Sequence, residues 1–290
     1  MKKLFGKKAL SVFLAFVVAM VFAASSTISV FAADKTKTVW VLTESSSKTT
    51  GLGDDRTWKD TYKYDKNGLL IEKNLDGERT VYKRNSKGAP VSDKQYEGKK
   101  LTGTCKYKLN KKGYVVKETN YDKAKKVDST YTATYWSNGN LKKAVYNDKS
   151  SEMVITENYR KNGTLKSDES TWKGFVDSSK AKYDKHGNKI KNTTVFEDGT
   201  KSETTYKLTY NKKGDVVKSV ETDKSTLDGE ETISKTTVTY KYTYDKAGNP
   251  TKVVEKSSDG EDSWTTVTTY KYKKFKVAKK YWKYLLQEIL

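Results

Sequence analysis

The stretch TTVTYKYTYDKAGNPTKVVEK, residues 236–256, contains the pattern on which the whole chain is built. Val238, Tyr240, Tyr242 and Tyr244 alternate with Thr239, Lys241 and Thr243, so a strand here carries aromatic groups on one face and polar groups on the other. The alternation stops at Asp245-Lys246-Ala247-Gly248, and a second extended segment follows. YKLTY from Tyr206 repeats the scheme with Tyr206, Leu208 and Tyr210 on one side.

Aligned on that glycine, the chain shows Gly68, Gly88, Gly113, Gly139, Gly163, Gly187, Gly214 and Gly248, a repeat with a period near 25 residues. Four residues before each glycine stand Tyr64, Arg84, Leu109, Tyr135, Tyr159, Tyr183, Tyr210 and Tyr244. Between these turns lies a looser set: Asp76-Gly77, Glu97-Gly98, Lys173-Gly174, Asp198-Gly199, Asp228-Gly229 and Asp259-Gly260. Each unit therefore reads as two strands and two turns, with Asn-Gly and Asp-Gly supplying the positive φ angles of two-residue hairpin loops. The expectation is an all-β meander of about sixteen short antiparallel strands in an extended, twisted sheet. In the tail KVAKKYWKYLLQEIL, Trp282, Leu285, Leu286 and Ile289 would line one side of a short C-terminal helix.

The units YKYDKNGLLIEK, YDKHGNKIKN and YKYTYDKAGNPTKVVEK resemble the YD repeats of the RHS family, in which a Tyr-Asp pair precedes a glycine turn and an apolar pair follows. The resemblance covers roughly residues 60–275; the full pair stands at Tyr64-Asp65, Tyr183-Asp184 and Tyr244-Asp245, and the middle units depart from it. In that family long arrays form a hollow β-shell around a C-terminal toxin, and the proteins are wall-associated or secreted. What the resemblance implies here is the strand-and-turn architecture, since about twenty residues after the last repeat are too few for a folded enzyme. Hairpin repeats of the MORN type would give similar spacing and stay open as the structural alternative.

Lys2, Lys3, Lys7 and Lys8 precede an apolar run from Leu10 to Ala24, and Val30 and Ala32 place small residues before a cleavage point. Residues 1–32 thus read as a secretory signal cut after Ala32 or Ala33, leaving no transmembrane anchor. The remaining divisions are an N-terminal segment 33–59, the array 60–275 and the tail 276–290. Cys105 stands alone, which excludes an internal disulfide, a zinc cluster and a Cys-His pair. The formal charge is +21, and +17 without the four leader lysines. Outside a bacterial-type cell such a chain attracts anionic wall polymer, acidic polysaccharide and, non-specifically, DNA, while lysines that merely solubilise a β-surface read equally well.

No enzymatic chemistry stands out. His186, the sole histidine, sits in a turn slot that holds Asn67, Lys213 or Ala247 in sister units and reads as turn filler. The turns DKNG, DKHG and DKAG put lysine where a calcium loop wants oxygen, so Asp65, Asp184 and Asp245 are expected to bond turn amides instead; no phosphate-cradling glycine motif exists, and no metal or cofactor is expected. Carboxylate pairs able to cleave a glycosidic bond are not singled out. Trp40, Trp58, Trp136, Trp172 and Trp264 are candidates for sugar stacking, Trp172 foremost, against the plainer reading that tryptophans cover the apolar face. Lys142, Lys143, Lys241 and Lys252 are candidates to follow an anionic polymer. The reading is an exported, secreted or non-covalently wall-associated repeat protein, non-enzymatic, with a basic face for wall polymer, polysaccharide, matrix or a protein partner. A carbohydrate-binding module comes second and a polysaccharide-degrading enzyme third.

Overall fold

Tyr64–Gly68 shows how one turn is made. The Asp65 carboxylate accepts the amides of Asn67 (2.8 Å) and Leu69 (2.9 Å), the Asp65 amide donates to the Leu69 carbonyl at 2.9 Å, and Gly68 takes φ 76°. Asn85, Asn110, Asp184, Asn211 and Asp245 cap their own turns in the same way. In the fourth and fifth units Trp136 and Arg160 occupy that slot, and Asn138 and Asn162 bond the later turn amides instead.

A computed structural model describes residues 36–51, 55–227 and 230–285. The strands are β1 (Thr36–Thr50), β2 (Arg56–Tyr64), β3 (Leu70–Leu75), β4 (Glu78–Arg84), β5 (Pro90–Glu97) and β6 (Lys100–Leu109). There follow β7 (Val115–Asp122), β8 (Val127–Tyr135), β9 (Leu141–Asp148), β10 (Met153–Tyr159), β11 (Leu165–Trp172) and β12 (Val176–Tyr183). The last are β13 (Lys189–Phe196), β14 (Lys201–Tyr210), β15 (Val216–Leu227), β16 (Glu230–Tyr244), β17 (Pro250–Ser258) and β18 (Ser263–Ala278). Each pairs antiparallel with the next, and β1 pairs with β18 from Thr36↔Ala278 to Thr50↔Thr265.

That last pairing overturns the extended open sheet expected from the repeat: the eighteen strands close into a β-barrel. The extra pair comes from the two ends, since β1 lies in the N-terminal segment and β18 runs into the tail. Local periodicity reports neighbours a few residues apart, whereas this contact joins residues more than 200 positions apart. The expected tail helix is present, among the described residues, as a 3-10 turn (Lys279–Tyr281) and one helical turn (Trp282–Leu285). The signal reading of residues 1–32 lies outside the described residues.

The turns are also of two kinds rather than one. Asp76 (φ 47°) and Gly77 (φ 98°) form the expected two-residue loop, with nothing near Gly77 to crowd a side chain. The repeat glycines close longer loops, and at each the register slips beside the residue four before the glycine, as at Lys63/Tyr64 and Thr243/Tyr244. In two units that residue reaches back to the carbonyl two residues past the previous glycine: Arg84 Nε donates to Leu70 at 2.9 Å and Tyr135 Oη to Val115 at 2.6 Å. Tyr242 and Tyr272, at other positions of their strands, make the same tie to Val216 (2.9 Å) and Pro250 (3.0 Å), while Tyr183, Tyr210 and Tyr244 donate to Asp168, Asp184 and Asp215.

The largest apolar cluster closes the same rim. Leu69, Ala89, Val277, Tyr281 and Tyr284 are buried together, with Leu109, Phe275 and Trp282 packed against them, so the tail grips the first three glycine turns. Trp282 Nε1 fixes the reversal by donating to the Val277 carbonyl at 2.9 Å.

Stacking between successive turns is testable at Gly139, where an added methyl would overlap the Tyr114 hydroxyl of the preceding turn; Gly199, with the same sign of φ, has open space around it. Gly139→Ala should lower stability by about 1–3 kcal/mol more than Gly199→Ala in urea denaturation. Equal losses would show that the Tyr114 ring gives way to the added methyl without cost.

Candidate functional site

Strand pairing sorts every side chain to one wall of the barrel. Tyr62, Tyr107, Tyr131, Tyr206, Tyr240 and Tyr270 share the inner face, interleaved with small groups such as Cys105, Ser129, Ala133, Ala144 and Ala181. The small residues are fully buried, whereas the tyrosines stay half-buried. That contrast is what a wall facing a lumen produces: short groups are covered by neighbours and long ones extend into the open centre, as expected for eighteen strands, too many for side chains to fill.

The inner wall is also acidic. Asp93, 4% exposed, accepts the Tyr107 hydroxyl, and Gln95 Nε2 lies 3.3 Å from it. Tyr183 donates to Asp168, and Tyr159 donates to Glu157 at 2.7 Å. Burial pushes the Glu118 carboxyl up to about 7, with the Asp93 charge adding to the rise and Lys73 opposing it. Burial likewise raises Asp93, Glu157, Glu221 and Glu255. It also lifts the Cys105 thiol to about 12, which keeps it protonated and unreactive at neutral pH. Among the described residues no three acidic, histidine or cysteine side chains come together to hold a metal ion.

The outer wall has the opposite charge. Lys63, Lys106, Lys143, Lys180, Lys207 and Lys241 all point outward and are exposed. Where the fourth and fifth units depart from the Tyr-Asp pattern, this surface forms a shallow depression of about 750 Å³. Trp136, Lys142, Lys143, Arg160, Lys161 and Lys166 line it, and no carboxylate does. Trp136 Nε1 is held 3.3 Å from the Tyr159 carbonyl, Arg160 Nη2 donates to the Tyr183 carbonyl at 2.8 Å, and the Lys142 ammonium lies 4.9 Å from the centre of the indole. Two turns that lost their capping aspartate have thus gained a fixed guanidinium and a fixed ring. The arrangement can take an anionic group beside a flat apolar one.

The structure brings Lys142 and Lys143 together in this depression, but not the other candidates. Lys241 and Lys252 lie close together on the outer face of β16 and β17. Trp172 sits at the opposite rim, 37% exposed, its ring 4.9 Å from that of the exposed Phe175, which in turn meets Phe196 at 5.6 Å. His186 is exposed in its turn, its amide bonded to Asp184 and its ring 4.9 Å from Tyr210. The turn glycines Gly68, Gly113, Gly139, Gly163, Gly187, Gly214 and Gly248 all take positive φ. Trp136 stood among the candidate stacking tryptophans without being paired with cations, and Arg160 was missed as a site residue. The signal was in plain view, as these are the two units where a large side chain replaces Asp or Asn after the residue four before glycine.

No protein-family model matches the chain, and no curated protein does. Among solved structures, a porin-like protein from Bacteroides uniformis aligns at 14% identity over 80% of this chain and 98% of that one, with a TM-score of 0.43. A porin-like protein from Bacteroides vulgatus aligns at 14% identity over 78% and 97%, with a TM-score of 0.27. The TcdB2-TccC3-Cdc42 complex aligns at 14% identity over 74% of this chain but 18% of that one, with a TM-score of 0.19. Likeness of this degree says nothing of what the barrel binds.

The acidic lumen predicts a pH dependence. Glu118 binds its proton more tightly in the folded barrel than in the unfolded chain, so its contribution to stability is lost as pH rises from about 4.5 through about 7. Thermal unfolding should occur at a higher temperature at the acid end of that window than above it, and Glu118→Gln should narrow the gap. A midpoint that rises through the window in the native chain would contradict the assignment.

Proposed function

We propose that this chain is an exported, non-enzymatic binding barrel that holds anionic wall polymer or acidic polysaccharide on its outer surface. The observation that carries the reading is the depression of Trp136, Lys142, Lys143, Arg160, Lys161 and Lys166, five cations and an indole with no carboxylate among its lining. Many acids lie inward beside the tyrosines, and although Glu44, Glu72 and Glu203 pair with outward lysines, cations prevail outside, so a large share of the +17 left without the leader lysines faces a ligand arriving from solvent. An outer wall set with lysines favours water over lipid, because a barrel in a membrane turns an apolar band outward. The apolar run ahead of the barrel supports export, and the Tyr-Asp turns support kinship with YD-repeat proteins.

Trp172 supports a second reading. With Phe175 it offers an exposed aromatic platform far from the basic depression, suited to a neutral glycan.

The two readings separate in one titration. Binding to anionic wall polymer should weaken by a factor of about 10³ or more between roughly 50 and 200 mM salt, with neutral glucan unbound at either. Salt-insensitive binding to neutral glucan, abolished by Trp172→Ala, would replace the first reading with the second. Absence of binding to any polyanion at low salt would end the first reading outright.

A further inference from the structure

The six lysines two residues before a repeat glycine are Lys66, Lys111, Lys161, Lys185, Lys212 and Lys246, in six of the eight glycine turns. In the second unit Lys87 stands one place later, and the fourth contributes Lys142 just beyond its turn. All six are exposed, and none forms an ion pair among the described residues. Asp65, Asp184 and Asp245 turn their oxygens to turn amides rather than to these ammonium groups, and with three aspartates to six lysines the turns keep a net positive charge. All eight glycine turns lie at one end of the barrel, since each joins an even-numbered strand to the next odd-numbered one. The other rim is different: its loops carry Asp55, Asp76, Asp198, Asp259, Glu261 and Asp262, with lysines confined to a few of them.

Successive glycine turns are two strands apart, which places equivalent lysines roughly 10 Å from one another along the rim. That interval is about a Debye length at 0.1 M salt, so neighbouring lysines attract one polymer jointly while a small anion feels one at a time. It is also the reach of two linked pyranose rings. The indole of Trp136 lies on the same arc, between the turns of Gly113 and Gly163, and gives a ring-bearing polymer an apolar contact that a ringless one cannot use.

We propose that the lysine rim is a periodic track for a linear anionic polysaccharide, one that must be long enough to lie across several turns at once. This rests on the polyanion reading above and specifies it: the depression is one station on the rim, and affinity comes from engaging several stations. Wall lysines such as Lys241 and Lys252, outside the rim, contribute to general attraction only.

The test uses polygalacturonate fragments graded from dimer to long polymer, titrated at low salt against the secreted chain, Lys185→Glu/Lys212→Glu and Lys241→Glu/Lys252→Glu. Affinity should rise about 100-fold or more from the shortest fragments to chains that span several turns. The rim pair should lose most of that gain and the wall pair should keep it, although both change the net charge equally. Circular dichroism on both variants checks that the barrel is intact. Equal losses in the two variants would overturn the track while leaving the polyanion reading in place, and so would affinity independent of length. Equal binding of polyglutamate of matched length would remove the polysaccharide assignment. No binding of any fragment or polymer would sink both proposals together.

Discussion

Everything in this barrel depends on the ladder between β1 and β18. It runs from Thr36↔Ala278 to Thr50↔Thr265, interrupted by a bulge between Leu42 and Glu44. A meander without it would expose two long edges ready to pair with other chains. Closure removes both, and it creates an inside. Only because the sheet returns on itself do the tyrosines and carboxylates of alternate positions share an enclosed space while the lysines between them face bulk water. Side-chain hydroxyl contacts reinforce the seam, with Ser47 and Thr49 meeting Thr268 and Thr266 at 2.8 Å each.

The inner wall solves a problem set by composition. With 34% hydrophobic residues the chain has too little aliphatic surface for a packed core of this size. Tyrosine supplies apolar area and a hydroxyl on the same side chain, so the wall can be covered without being dry. Burial raises the Glu118 carboxyl to about 7 and pushes Asp93 upward as well, which disfavours the accumulation of charge inside the ring. At the glycine-turn rim the same residue type acts as a tie between units, and Arg84 does the work of tyrosine where the pattern lapses.

Much of this was legible in the sequence. The alternation of Val238, Tyr240, Tyr242 and Tyr244 with Thr239, Lys241 and Thr243 identifies the two faces, and the structure puts the first set inward. The glycine spacing identifies the units and their turns. Closure was hidden because β1 shares no motif with β18: TKTVWVLTESSSKTT reads as an unremarkable strand, and its partner is specified by ring geometry rather than by local pattern. The bonding of Asp65, Asp184 and Asp245 to turn amides follows from residue type and is found, but the length of the loop it closes was misread, since the register slip beside Tyr64 is visible only in three dimensions. Of the candidate ligand-binding residues, Lys142 and Lys143 met in the depression, whereas Lys241 and Lys252 form a separate pair on the wall and Trp172 stands at the far rim, because position along a strand determines the wall but not which unit's turn lies nearby. Trp136 and Arg160 looked like decay of a motif, yet their bonds to the next unit show that the slot was reused.

The seam also gives the molecule a heading. Thr36 and Ala278 face each other at the glycine-turn rim, so both ends of the described barrel leave through the lysine-bearing mouth. Whatever is joined to either end is delivered to that mouth, and the opposite, more acidic rim points away from the point of attachment. A barrel tethered by a chain end to a bead, a vesicle or a neighbouring domain would therefore press its cations against the support and offer the solution its other face. Tethering through a residue of the far rim would reverse the presentation.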